Sequence, residues 1–161
     1  MKVLLINIPK WRTICLIVCL CLSVFPGVAI ASNQSTELLL IPIQGNQQLK
    51  ILSELDIPIF EQVTTSNGVS VVFLPADLQQ KELLIQNSFS MKILGTYSRQ
   101  AEAQPYLLYG TPNELELARQ EVVLLWTEER YALTITTPAL ADQLPLLGIQ
   151  RQQLHLKTLT I

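Results

Sequence analysis

The order of strand-like and helix-like segments is the feature that most constrains how this chain can fold. From Leu38, an apolar run typical of a strand leads into leucines at helical spacing, then two more strand-like runs, a second helical pattern and a returning strand. The same β-α-β-β-α-β order recurs after residue 105. Because strands and helices with one apolar side must bury it against each other, we predict an α+β chain with two antiparallel sheets, each carrying helices on one face.

Turn-forming residues mark boundaries within the first half. Asn67 and Gly68 lie between two strand-like runs and predict a hairpin, since both residue types tolerate a positive φ angle. Pro75 follows the second of these runs. Because proline suits the first turn of a helix, Pro75 predicts that the second helix begins there.

The second half carries its own helix signals. Thr111 and Glu114 flank a proline in the pattern of a capping box, in which both side chains satisfy backbone N–H groups at a helix start. A further helix is predicted to begin at Pro138 and to be kinked or split by Pro145, because a proline removes a hydrogen-bond donor from a helix interior. The final strand is predicted at residues 154–157, where apolar and polar residues alternate.

The two halves also align with each other at a constant shift of 63 residues, which superposes Pro75 on Pro138 and Met91 on Leu154. The proline, the helix face and the returning strand agree together, and this favours an internal duplication. We therefore predict a tandem repeat. The first module covers residues 32–97, a polar linker covers 98–105 and the second module covers 106–161.

Residues 1–31 have the pattern of an export signal. Three basic residues precede an apolar run, and Ala29 and Ala31 form an A-x-A cleavage site. We predict that this signal peptide is cleaved after Ala31 and that the protein is exported to the periplasm or the extracellular space. The alternative is a retained membrane anchor, because the apolar stretch at residues 13–31 approaches the roughly 20 residues that span a bilayer. The membrane is then a partner only through the leader.

Cysteine positions and charge exclude several classes of function. The three cysteines, Cys15, Cys19 and Cys21, all lie in the leader, so the exported part has no disulfide, thiol nucleophile or cysteine metal ligand. Cleavage leaves eight basic and thirteen acidic residues, a net charge of −5. Because the basic residues are scattered singly and form no stripe that tracks phosphates, we predict no nucleic-acid partner.

No residue pattern predicts a catalytic, cofactor or metal site. His155 is the single histidine of the chain, and its apolar neighbours imply that it points to solvent, with no nucleophile or second ligand beside it. Glu128 and Glu129 lie at a predicted hairpin tip, where adjacent acids are usually solvated. The glycines are isolated, so none forms a phosphate-binding loop. We therefore predict a protein that is not an enzyme and has no cofactor.

Three aromatic residues are the candidates for contact with a partner. Tyr109, Trp126 and Tyr131 are predicted to lie on one sheet, together with Tyr106. Packing into the core is the simpler interpretation of these side chains. The alternative is an exposed aromatic face that contacts a protein or a glycan.

The first half resembles a known type of module at four segments, Leu38 to Ile43, Leu49 to Leu55, Val69 to Pro75 and Leu83 to Leu94. Its spacing is similar to that of the small βαββαβ modules placed before the catalytic domain in many secreted zinc peptidases. The resemblance implies two ferredoxin-like modules with the role of a propeptide or accessory module. Because the sequence contains neither metal-binding histidines nor a peptidase domain, we expect a free-standing relative or a truncated product, and no functional residue is carried over.

These observations lead to a preferred function and two alternatives. We expect an exported, non-catalytic module that binds another exported protein, such as a peptidase, as an inhibitor or folding helper. An unpaired edge strand gives such a module a simple means of binding an extended segment. The first alternative is an envelope module that binds peptidoglycan or another glycan through Tyr109, Trp126 and Tyr131. The second, a small enzyme of the acylphosphatase kind, rests only on the predicted fold.

Overall fold

The computed structural model describes residues 36–159, and the leader with Ala29 and Ala31 lies outside the described residues. Contacts divide the chain after Asn33, and every described residue belongs to the second unit. The first half contains β1 (Thr36–Ile43), α1 (Asn46–Glu54), β2 (Glu61–Thr64), β3 (Ser70–Ala76), α2 (Leu78–Gln86) and β4 (Lys92–Tyr97). The second half contains β5 (Gln104–Tyr109), α3 (Pro112–Glu121), β6 (Leu124–Glu128), β7 (Tyr131–Thr136), α4 (Pro138–Ala141), a 3-10 helix (Leu144–Leu147) and β8 (Gln150–Gln153).

Each half forms its own four-stranded sheet, with the same strand order in both. The orders are β2-β3-β1-β4 and β6-β7-β5-β8, and every pair of neighbouring strands is antiparallel. In both sheets the first strand therefore lies between the third and the fourth. The predicted α+β class with two antiparallel sheets is confirmed, and the arrangement fits two tandem ferredoxin-like modules.

Both faces of the first sheet are buried, which explains why β1 is apolar at nearly every position. Leu39 and Ile41 pack with residues of the first-half helices. Leu38 and Leu40 instead join a cluster that includes Leu107 and other residues of the second sheet. Because successive side chains of a strand point to opposite faces, this second cluster lies between the two sheets. We call it the middle core.

The second sheet is covered in the same way. Leu107 and Leu133 of its central strands face the middle core. Tyr106 and Leu108 face the other side and pack with Leu115 of α3. The layers therefore run helix, sheet, sheet, helix.

The predicted start of the second helix at Pro75 is wrong. Pro75 lies in β3, and α2 begins after Asp77, whose carboxylate accepts a hydrogen bond from the Gln80 backbone N–H at 2.8 Å. The Phe73 carbonyl accepts from Phe60 N on the β2 side of β3. The backbone of Pro75, two residues later, faces the same side of β3 but lies beyond the last residue of β3 that pairs with β2. The N–H that proline lacks would therefore have had no acceptor in β2.

The predicted hairpin between β2 and β3 is present, but its turn differs from the expected pair of positive φ angles. Gly68 takes a φ of 75° and donates its N–H to the Thr65 carbonyl at 2.9 Å. Asn67 is not among the residues with positive φ. The connection is therefore a longer turn that ends in a left-handed glycine.

The helix signals of the second half are confirmed. Thr111 Oγ1 accepts a hydrogen bond from Glu114 N at 3.3 Å, and Glu114 Oε2 accepts one from Thr111 N at 2.6 Å. The last helical region is split, because α4 ends at Ala141 and a separate 3-10 helix contains Pro145. Pro145 lies in the first turn of the 3-10 helix, where a backbone N–H has no acceptor within the helix, so its missing N–H costs no hydrogen bond.

The final strand is β8, so the strand predicted at residues 154–157 is wrong. Residues 154–159, which we call the crossing segment, start at the second sheet, where Leu154 N donates to the Pro105 carbonyl at 2.9 Å, and then reach the first half. Ile59 and Lys157 exchange two backbone hydrogen bonds of 2.9 and 2.8 Å, and Ser53 Oγ donates to the Leu159 carbonyl at 2.7 Å. The predicted alternation still holds, with Leu154 buried and His155 exposed, because an extended chain alternates whether or not it pairs.

A constant shift of 63 residues does not superpose the two modules throughout. The starts of β2 and β6 differ by 63 residues, at 61 and 124. The starts of β1 and β5 differ by 68, at 36 and 104, and those of β4 and β8 by 58, at 92 and 150. The second module is therefore the shorter one, and its elements follow the first at a decreasing distance.

Candidate functional site

The three candidate aromatic residues line the side of the second sheet that faces the middle core, where each is partly buried. The rings of Tyr109 and Tyr131 meet edge to face with centroids 5.4 Å apart. Trp126 instead packs edge to face on Phe73 of the first sheet, at 5.1 Å. Tyr106 lies on the opposite, helix-covered face. The structure therefore brings together the two tyrosines, while their contact with a partner or glycan stays a prediction.

The other residues considered in the sequence lie apart from one another. His155 is exposed on the crossing segment, and Glu129 is exposed at the turn between β6 and β7. Within residues 36–159, no three His, Cys, Asp or Glu side chains are grouped so as to hold a metal ion. Over the same range, no helix is both long and apolar enough to cross a bilayer.

One side of the two-sheet stack is crossed by the chain itself. At this side the edge strands β2 and β8 lie near each other, since Gln152 Nε2 of β8 is 3.4 Å from Glu61 Oε2 of β2. The crossing segment adds the backbone bonds between Ile59 and Lys157, and Lys157 Nζ donates to Glu61 Oε1 at 2.6 Å. We call this the crossed side.

A polar chain of contacts runs from the second sheet to this side. The Tyr109 hydroxyl donates to Gln152 Oε1 at 2.7 Å, and Gln152 in turn reaches Glu61. Burial raises the pKa of the Tyr109 hydroxyl above its ordinary value of 10, and the charge of Glu61 and the neighbouring Tyr131 raise it further. Tyr109 therefore stays protonated near neutral pH and remains a donor.

The opposite side presents two edge strands, β4 and β6, and we call it the open side. β4 contacts β6, and a Cβ placed on Gly95 would come within 3.9 Å of Leu125 Cδ2. Among the described residues, no strand pairs with the outer edge of either strand. Apolar side chains are exposed here, with Ile93 57 % and Val123, just before β6, 73 % exposed.

The two sides differ in the features that usually protect a sheet edge. Short edge strands and charged side chains prevent pairing with other chains. On the crossed side β2 and β8 have four residues each, and all four residues of β8 are polar and exposed. On the open side β4 has six residues and β6 has five, with Lys92 as the single charge of β4. The open side therefore lacks the short length and most of the charge that protect the crossed side, while its two strands each have a register irregularity of the kind that also protects sheet edges.

A cavity of about 400 Å³ lies where the end of β5, the start of α3 and the start of β7 meet. We call it the tyrosine cavity, and its lining includes Tyr109, Tyr131, Glu114, Arg130, Gly148 and Gln150. Trp126 does not line it. In the described part of the chain, neither the Arg130 nor the Gln150 side chain has a hydrogen-bond or ion-pair partner, so both polar groups are available.

Glu114 lies in this cavity between two glycines. The hydrogen bonds from the Thr111 backbone and side chain lower the pKa of the Glu114 carboxyl, so it is ionised near neutral pH. A Cβ on Gly148, whose φ is 82°, would lie 2.8 Å from Glu114 Oε1, and one on Gly110 would lie 3.2 Å from Oε2. A side chain at position 148 would therefore displace this carboxylate, whereas one at position 110 would ask Glu114 to shift by only a few tenths of an ångström.

Comparison with known proteins gives no further assignment, since no protein family model and no curated protein matches this sequence. The site residues that sequence reasoning missed are Glu114 as a cavity residue, Arg130, Gly148 and Gln150. Their only sequence signals were a capping box and a turn, which are the ordinary marks of helix and strand boundaries.

Proposed function

We propose that this chain is an exported, non-catalytic module that binds another exported protein through the open side of its two sheets. An extended segment of the partner pairs with the outer edge of β4 by main-chain hydrogen bonds, as in other cases of strand addition. The observation that carries the proposal is the difference between the two sides. The crossed side is short, polar and bridged, whereas the open side is longer and apolar.

The proposal includes the finer assignment of the fold. The strand order supports two ferredoxin-like modules, and the resemblance to propeptide modules makes an exported peptidase the first partner to test. Binding along an edge strand suits an inhibitor or a folding helper, because the partner segment is held in an extended form. Residues 1–31 act as the signal peptide that delivers the chain to the periplasm or the extracellular space.

The test is recovery of a partner from the exported fraction by affinity capture, with identification by mass spectrometry. The wild-type chain is compared with Ile93→Lys, which places a charge on the exposed edge of β4. We expect the variant to recover about tenfold less of the specific partner than the wild type. The mass of this protein itself, measured in the same experiment, also reports whether residues 1–31 have been removed.

The matched control is Ile85→Lys. Ile85 is 64 % exposed but lies on α2, so this variant makes the same chemical change away from the sheet edges. We expect it to recover the partner as the wild type does. Equal recovery by Ile93→Lys and Ile85→Lys would show that β4 is not the binding edge.

A further inference from the structure

The tyrosine cavity carries an inference that goes beyond protein binding at the open side. We propose that it is a binding site for a neutral saccharide. None of its lining residues belongs to β4 or β6, so the site is independent of the edge on which the proposed function rests.

The size of the cavity fits a small ligand. Its volume of about 400 Å³ lies within the range of roughly 300 to 1,000 Å³ that is usual for small-molecule sites. Such sites combine aromatic walls with a few convergent polar groups. Here the edge-to-face pair Tyr109 and Tyr131 supplies the aromatic surface.

The polar groups indicate the chemistry of the ligand. Arg130 offers donors, the ionised Glu114 offers an acceptor at Oε1, and Gln150 offers both. An isolated anion would be repelled by Glu114 and an isolated cation by Arg130. A sugar ring carries hydroxyl groups that donate and accept, together with apolar C–H faces that pack on aromatic rings, so it satisfies every group present.

Gly148 supports the assignment of Glu114 as a residue that contacts the ligand. Oε2 is occupied by the Thr111 N–H, whereas Oε1 points toward Gly148, where any Cβ would meet it. A side chain at position 148 would displace the carboxylate that the ligand is expected to contact. Gly148 is therefore inferred to keep one acceptor oxygen in place for the ligand.

The test measures binding of the purified full chain to a panel of soluble oligosaccharides by calorimetry. The panel contains oligomers of N-acetylglucosamine and oligomers of glucose, which are uncharged. We expect saturable binding to at least one of these and an affinity about tenfold lower for Arg130→Gln. The control is Arg99→Gln, because Arg99 is also exposed and unpaired in the described part of the chain but does not line the cavity.

A second pair of variants distinguishes loss of binding caused by a change at the site from loss caused by backbone strain. Gly148→Ala and Gly68→Ala both place a side chain at a positive φ, of 82° and 75°, but a Cβ at Gly68 meets nothing within 4 Å. We expect loss of saccharide binding in Gly148→Ala alone, with thermal unfolding used to compare the stabilities of the two variants. Equal loss in both would attribute the effect to strain and overturn the proposal.

Other outcomes also decide the question. Failure of every saccharide to bind the wild type, or binding of free amino acids in place of saccharides, would overturn the assignment. Ile93→Lys is expected to bind the saccharide as the wild type does, so failure of the edge proposal leaves this result unchanged.

Discussion

At the scale of single residues, Glu114 joins the stability of a helix to the chemistry of a cavity. One carboxylate oxygen completes the capping box of α3, and the other faces Gly148. The pKa of Glu114 is lowered by its hydrogen bonds to Thr111. A carboxyl whose pKa is lower in the folded state stabilises the fold above its ordinary pKa of 4.5, and this contribution is lost as the pH falls through the folded value.

This linkage predicts the effect of removing the charge. We expect the difference in the free energy of unfolding between the wild type and Glu114→Gln to shrink as the pH falls from about 6 to about 3. Urea unfolding at several pH values measures it. Glu116→Gln is the control, because Glu116 lies on the same helix and pairs with Arg119 outside the capping box. A difference that stays constant for Glu114→Gln over this range would contradict the prediction.

At the scale of elements, the crossing segment is a connector of the two modules. Leu154 and Leu156 join the middle core, whereas Leu159 packs with the helix-side core of the first module. One extended stretch of six residues therefore contacts two cores. Its backbone bonds to Ile59 also cover part of an edge that would otherwise be free.

This placement predicts that the crossing segment contributes strongly to stability. We expect replacement of its three leucines by serine to lower the free energy of unfolding by at least about 3 kcal/mol, because a buried leucine such as Leu154 contributes roughly 2 to 5 kcal/mol and the partly buried Leu156 and Leu159 add to it. Replacement of three exposed leucines by serine is the control, and it should have an effect below about 1.5 kcal/mol. Similar losses from the two sets would disprove the role of the segment. The control leucines are Leu78, Leu117 and Leu146.

The elements also show what local sequence can and cannot predict. The capping box at Thr111 and the split at Pro145 were predictable, because their hydrogen bonds join residues close together in the chain. Pro75 was wrongly predicted to start a helix. It fits within β3 because β2 no longer pairs with β3 at that point, and the extent of this pairing is a property of the sheet that local sequence does not show. The bridge between Ile59 and Lys157 and the assembly of the tyrosine cavity join residues distant in sequence, and periodicity carries no signal for either.

At the scale of the whole molecule, the two modules share a core. The middle core contains residues of both sheets, including Phe73 from the first and Leu133 from the second. Neither sheet therefore buries its inner face without the other. The continuous apolar run of β1 is consistent with burial on both faces, but it does not show what covers the second face.

A shared core predicts cooperative unfolding of the two modules. Trp11 and Trp126 are the two tryptophans of the chain, so a Trp11→Phe variant leaves Trp126 as the single tryptophan, placed at the middle core. We expect its fluorescence and the far-ultraviolet circular dichroism to show one coincident transition in urea. Two separated transitions would indicate that the modules unfold independently.

The crossing segment also imposes an order on the maturation of the protein. Ser53 and Ile59 lie in the first module, yet their partners are Leu159 and Lys157, about a hundred residues later in the chain. The first half therefore gains these contacts only after residues 157–159 have been synthesised. Under the proposed export, this delay would help to keep the chain unfolded during secretion, because contacts of its first half form only with residues made much later.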